Sequence, residues 1–140
     1  MTAQSSRPKY GFAWWSRAML TLVIILVAAT CGAGAVARSN LMKKYPAPGQ
    51  MVDAGGFNMH IHCTGEGSPT VILAGGLDDF SITWSLVQPT VAKTTRVCSY
   101  DRAGLGWSEA SPAPRTSENM VKELHTMLVN AKIESPFLMV

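Results

Sequence analysis

From Ala18 to Ala37 the chain crosses 20 positions without a charge (AMLTLVIILVAATCGAGAVA). At about 1.5 Å per residue such a run reaches across the roughly 30 Å hydrocarbon core of a bilayer. Trp14 and Trp15 stand at its edge, where paired indoles suit the headgroup level. Beyond it the period changes. Residues 38–48 read as a polar linker, Met51-Val52-Asp53 as a short strand, and Ala54-Gly55-Gly56 as a turn. Phe57, Met59, Ile61 and Cys63 then alternate with Asn58, His60, His62 and Thr64, which predicts an antiparallel strand with one dry and one wet face. After the loop Gly65–Pro69 comes an apolar run with β-branched residues, Thr70–Ala74. It breaks at Gly75-Gly76, crosses Asp78 and Asp79, and resumes with helical spacing at Trp84, Val87 and Val91. That order predicts a buried strand, a tight turn and a helix limited by Pro89. Thr95–Tyr100 reads as a second buried strand, ending in the turn Asp101–Ser108. Met120, Val121, Leu124, Met127, Leu128 and Ala131 lie on one face of a helix predicted over 117–131, with Thr116 or Ser117 as N-cap. Pro136–Val140 opens a last apolar strand.

A length of 140 residues leaves room for one ordinary domain. The pattern divides it into a basic segment (1–17), a membrane span (18–37), a linker (38–48) and a globular part (49–140). The net charge of +3 comes from Arg7, Lys9 and Arg17; from Arg38 onward nine basic residues balance nine acidic ones. A neutral body gives no electrostatic footprint for nucleic acid. The expected partner of residues 18–37 is the lipid bilayer, in a single pass. The competing reading is a cleaved, secretory leader, because Ala35-Val36-Ala37 resembles a processing site. Arg38, Lys43 and Lys44 nearly offset the positives before the span, and the α-amino group tips the balance toward an extracytoplasmic globular part.

Candidate chemistry is sparse. Gly32-Ala33-Gly34-Ala35-Val36-Ala37 followed by Asp53 imitates a dinucleotide fingerprint. The preceding run is too long for a strand, and Pro46 and Pro48 leave no room for the required helix, so no cofactor is expected. His60 and His62 share a strand face but lack a third ligand, so no metal is expected either. His125 carries no assigned role. Three cysteines are too few for a zinc site or a disulfide scaffold, and Cys63 and Cys98 read as small buried hydrophobes. The Gly75-Gly76 pair permits positive φ and close approach of a ligand, and a backbone N–H beside it can face an anion. The alternative is a plain strand-to-helix turn.

Residues 49–140, an antiparallel lead-in feeding a parallel α/β sheet, resemble the α/β-hydrolase family. The resemblance is carried by Val71-Ile72-Leu73-Ala74-Gly75-Gly76-Leu77 with Trp84, by Tyr100-Asp101-Arg102-Ala103-Gly104-Leu105-Gly106-Trp107-Ser108, and by Arg115-Thr116 and Pro136–Val140 in series. It implies that Leu77 supplies a backbone amide to half an oxyanion hole, with Gly75 and Gly76 supporting the turn. Gly75 stands where many members have His, which removes a side chain that often braces this loop. The resemblance also implies a structural turn in which Asp101 and Arg102 form a charge pair and Gly104 and Gly106 give backbone freedom. It places Cys63 and Cys98 in neighbouring strands, where a disulfide can form if the domain lies outside the cytoplasm.

The family's nucleophile sits in a Gly-x-Ser-x-Gly elbow after the fifth strand, and no such motif occurs in the chain. His60, His62 and His125 all precede that point. The expectation is therefore an N-terminal portion of a membrane-anchored hydrolase. It carries no nucleophile, acid or base of its own, and its last strand is left as a raw, poorly ordered edge. The parent would act on an ester or a related acyl, epoxide or halide small molecule. The alternative is a non-catalytic, membrane-tethered scaffold or binding module.

Overall fold

The computed structural model describes residues 12–140; Arg7 and Lys9 lie outside the described residues. The described chain forms two units, divided between Tyr45 and Pro46. The first is one helix, α1 (Phe12–Lys44). Its most apolar 18-residue window has a mean hydropathy of 2.4, long and apolar enough to cross a membrane. Its large side chains, among them Leu22, Ile25 and Leu26, are exposed. The helix continues through 38–44, where the sequence predicts a linker. Arg38–Lys44 contains neither Gly nor Pro, so nothing interrupts the hydrogen-bond ladder until Pro46 removes a donor.

The second unit is built on a five-stranded sheet. Its strands are β1 (Gln50–Asp53), β2 (Asn58–Thr64), β3 (Thr70–Ala74), β4 (Val97–Tyr100) and β5 (Phe137–Met139). They lie in the order β1-β2-β4-β3-β5. β1/β2 and β2/β4 are antiparallel, whereas β3/β4 and β3/β5 are parallel. The β1–β2 turn is held by the Asp53 carboxylate, which accepts from the N–H groups of Gly55 and Gly56 at 3.0 Å each. On one sheet face Phe57, Met59, Ile61 and Ile72 meet Met127 and Leu128 of α3 (Ser117–Asn130). Thr116 caps that helix, its side chain accepting from Asn119 N–H at 3.3 Å. Of the predicted apolar stripe, Val121 is an exception: it is 66% exposed, beyond the edge of the face that meets the sheet.

Two further expectations are corrected. A 3₁₀ turn (Ser81–Trp84) and a single-turn helix, α2 (Gln88–Val91), replace one continuous helix. Pro89 sits in the first turn of α2, where its missing N–H leaves no bond unmade, so it starts this helix rather than limiting one. The second sheet face is not wet throughout, because the 3₁₀ turn, α2 and Trp107 cover it. His60 is fully buried there. Gln88, also buried, bridges two strands. Its amide donates to His62 O and Thr64 Oγ1, and its carbonyl accepts from Ser99 Oγ at 2.7 Å.

Cys63 and Cys98 are direct partners in the β2/β4 register and are joined as a disulfide, their Cα atoms 4.0 Å apart. The bond closes a 35-residue separation, so its reduction is expected to lower stability by about 2–4 kcal/mol. Non-reducing peptide mapping should recover the two cysteines in one species, and urea denaturation with and without reductant measures the loss. Free thiols at both positions in protein made in an oxidising compartment would contradict it.

Candidate active site

Two loops leave adjacent parallel strands at the same end of the sheet: 75–80 after β3 and 101–109 after β4. In the first, a Cβ on Gly75 would lie 2.8 Å from the Asp79 carbonyl oxygen, so close backbone approach requires glycine there. Positive φ falls on Asp78 (59°), not on Gly75 or Gly76 as the glycine pair suggests. Asp79 N–H closes the turn onto Gly76 O at 3.2 Å. Leu77 is 90% exposed and lies outside both the strand and the 3₁₀ turn. Among the described residues no hydrogen bond engages its N–H.

The second loop is organised by Asp101, which is fully buried. One carboxylate oxygen accepts from Ser81 N–H at 2.6 Å; the other accepts from Trp107 N–H and lies against His60 Nδ1, both at 3.0 Å. Burial pushes this carboxyl up, but hydrogen bonds from His60, Trp107 and Ser81 outweigh it and hold the group below its ordinary value. Ser108 Oγ accepts from His60 N–H at 2.9 Å and donates to Asp101 O at 2.7 Å. Glu109 ties the end of the loop to β2, its carboxylate accepting from Asn58 N–H at 2.7 Å. Gly104 and Gly106 adopt φ of 84° and 51°.

The expected charge pair between Asp101 and Arg102 is not formed. Asp101 turns inward to His60, and Arg102 turns toward the neighbouring loop, its Nη2 donating to Gly76 O. The reason is alternation: successive side chains at a strand end point to opposite sides. His60, Ser81, Ser108 and Glu109 were therefore the residues missed. The signal available for His60 was that an acid ending a buried strand needs donors, and this histidine lies in the preceding antiparallel strand.

His60, Asp101 and Ser81 include the residue types of a catalytic triad, but their geometry is not one. Ser81 Oγ approaches His60 Nδ1 at 3.5 Å, the nitrogen already facing Asp101. A triad needs the hydroxyl on the far nitrogen, and among the described residues the buried Nε2 has no partner. This cluster braces the loops. Between the two loops and α3, Leu77, Asp78, Arg102, Leu105, Arg115 and Met120 line a cavity of about 460 Å³. Arg115 is clamped by Glu123, which accepts from its Nη1 through both oxygens at 3.0 and 2.7 Å.

A sheet ordered β1-β2-β4-β3-β5, with a glycine loop after β3 and an acid–glycine turn after β4, has the arrangement of the α/β-hydrolase fold. No family model matches the sequence. The uncharacterized protein YqjL of Bacillus subtilis is 34% identical over 79 residues, which is 56% of this chain and 31% of that protein. An AB hydrolase superfamily protein of Gibberella zeae is 37% identical over 73 residues, covering 51% of this chain and 23% of its own length. The crystal structure of the enol-lactonase from Burkholderia xenovorans LB400 superposes with a TM-score of 0.58 and 25% identity, over 65% of this chain and 36% of the lactonase. The second unit has the α/β-hydrolase fold, and its matched part spans about a third or less of these relatives.

Proposed function

We propose that this chain is the membrane-attached, N-terminal part of a hydrolase, and that the Leu77 N–H is one donor of its oxyanion hole. The observation that carries the reading is the free Leu77 amide, placed just past β3 by a turn that only glycine at position 75 permits. A preorganised amide of this kind stabilises the negative oxygen of a tetrahedral intermediate without reorganising during reaction. The nucleophile, acid and histidine come from chain following Val140, in the order that this fold uses. The substrate is a small ester or lactone, or a related acyl, epoxide or halide compound; the enol-lactonase is the precedent for a cyclic ester. Residues 18–37 anchor the enzyme in a bilayer, and the Cys63–Cys98 disulfide favours an oxidising, extracytoplasmic side for the globular unit.

The test compares this chain with the chain extended through the following reading frame. Only the extended protein is expected to turn over nitrophenyl esters, lactones, epoxides or haloalkanes. Turnover by residues 1–140 alone, or a continuation without a nucleophile after β5, would refute the reading and favour a tethered scaffold.

A further inference from the structure

Arg102 does nothing for Asp101, although it follows it directly in sequence. Its Nη2 instead donates to the Gly76 carbonyl, crossing from the loop after β4 to the loop after β3. That carbonyl is one end of the peptide unit whose other end is the Leu77 N–H. In a planar trans peptide the C=O and N–H bonds point in opposite directions, so holding the oxygen aims the hydrogen. The Gly76–Leu77 bond is not among the cis peptides of the described chain. A cation on the carbonyl also draws electron density toward oxygen, which makes the N–H at the far end a stronger donor. The same carbonyl accepts from Asp79 N–H at 3.2 Å within its own turn, and Arg102 adds the donor from the neighbouring loop. Gly76 has only Asp79 Oδ2 within 4 Å of a built Cβ, and Leu77 is 90% exposed. Packing therefore does little to fix this peptide.

We propose that Arg102 is a positioning residue that orients and polarises the Gly76–Leu77 peptide, so that the Leu77 N–H faces the cavity it shares with Arg102. The inference rests on the oxyanion reading of Leu77 given above. It also accounts for the divided labour of neighbouring residues: Asp101 braces the turn from within while Arg102 reaches across the sheet end.

Two measurements separate this inference from the reading beneath it. In the full 140-residue chain in detergent, the Gly76 carbonyl ¹³C and Leu77 amide resonances are compared among wild type, Arg102→Met and Arg102→Lys. Arg102→Met is expected to shift both while amides of β1 and β2 stay in place, and Arg102→Lys to restore part of the shift. In the catalytically competent extended chain, Arg102→Met is expected to lower kcat about tenfold or more, with KM changed less than twofold; Arg102→Lys recovers part of the rate. A merely structural arginine would not give that kcat-only loss with partial rescue by lysine. Unchanged Gly76 and Leu77 resonances in Arg102→Met overturn the positioning role and leave the hydrolase reading standing. Moved resonances with unchanged kcat overturn it too, because the oriented amide then serves no developing charge. Failure of the functional reading itself shows separately, as absence of turnover in the wild-type extended chain.

Discussion

Asp101→Ala is expected to destabilise the globular unit by about 3–5 kcal/mol, the range for stripping one partner from a buried, hydrogen-bonded pair. The carboxylate collects Ser81 N–H, Trp107 N–H and His60 Nδ1 in a site without solvent. Alanine leaves each of those groups without its partner in the interior, and an orphaned buried donor carries its own desolvation penalty. Asp101→Asn keeps one acceptor oxygen and should lose less. The pH dependence gives an independent signature. Because the folded carboxyl titrates below its ordinary value, its contribution is fully present above the unfolded pKa of about 4 and disappears as pH falls through the folded value. Urea denaturation of the full chain in detergent at neutral pH and near pH 3 measures both effects. A loss under about 1 kcal/mol for Asp101→Ala, or an acid limb unchanged in that variant, would mean the buried cluster contributes little.

The strands were legible because their side chains obey a period that burial enforces. Met59 and Ile61 on β2 and Ile72 on β3 could only face a core, and Met127 and Leu128 mark the helix face that closes it. The loop between β3 and β4 was less legible. Trp84, Val87 and Val91 have helical spacing, but Trp84 ends a 3₁₀ turn, Val87 caps α2 and Val91 ends it, as the chain comes back over His60 and Ser99. His60 itself read as a wet residue from alternation alone. Alternation reports which face a residue occupies, not what covers that face, and here a loop 20 residues away in sequence from Asp101 supplies the cover through Ser81. The site shows the same division. The glycines and the Asp–Arg sequence located both loops correctly, but adjacency in sequence suggested a charge pair that strand geometry prevents. Partners separated by 41 positions, such as His60 and Asp101, leave no local signature.

Gly106→Ala is expected to lose about 3 kcal/mol, combining a left-handed backbone cost with overpacking. Its φ is 51°, and a Cβ there would overlap Asp101 Oδ2 and lie 2.7 Å from Cγ and 2.9 Å from Phe80 Cδ2. A flexible side chain could yield, but this carboxylate is pinned by two backbone N–H groups and His60, so relief requires breaking those bonds. Gly104→Ala is the internal control. Its φ of 84° imposes backbone strain, yet nothing lies within 4 Å of a built Cβ, so it should cost only about 1 kcal/mol. The decisive comparison is a double-mutant cycle. If the penalty at 106 arises from collision with the carboxylate, Gly106→Ala should cost at least about 1 kcal/mol less in the Asp101→Ala background, a coupling within the range for residues in contact. Strict additivity would show that backbone strain alone demands glycine at 106. The tight fit between this turn and the buried acid would then have no energetic weight.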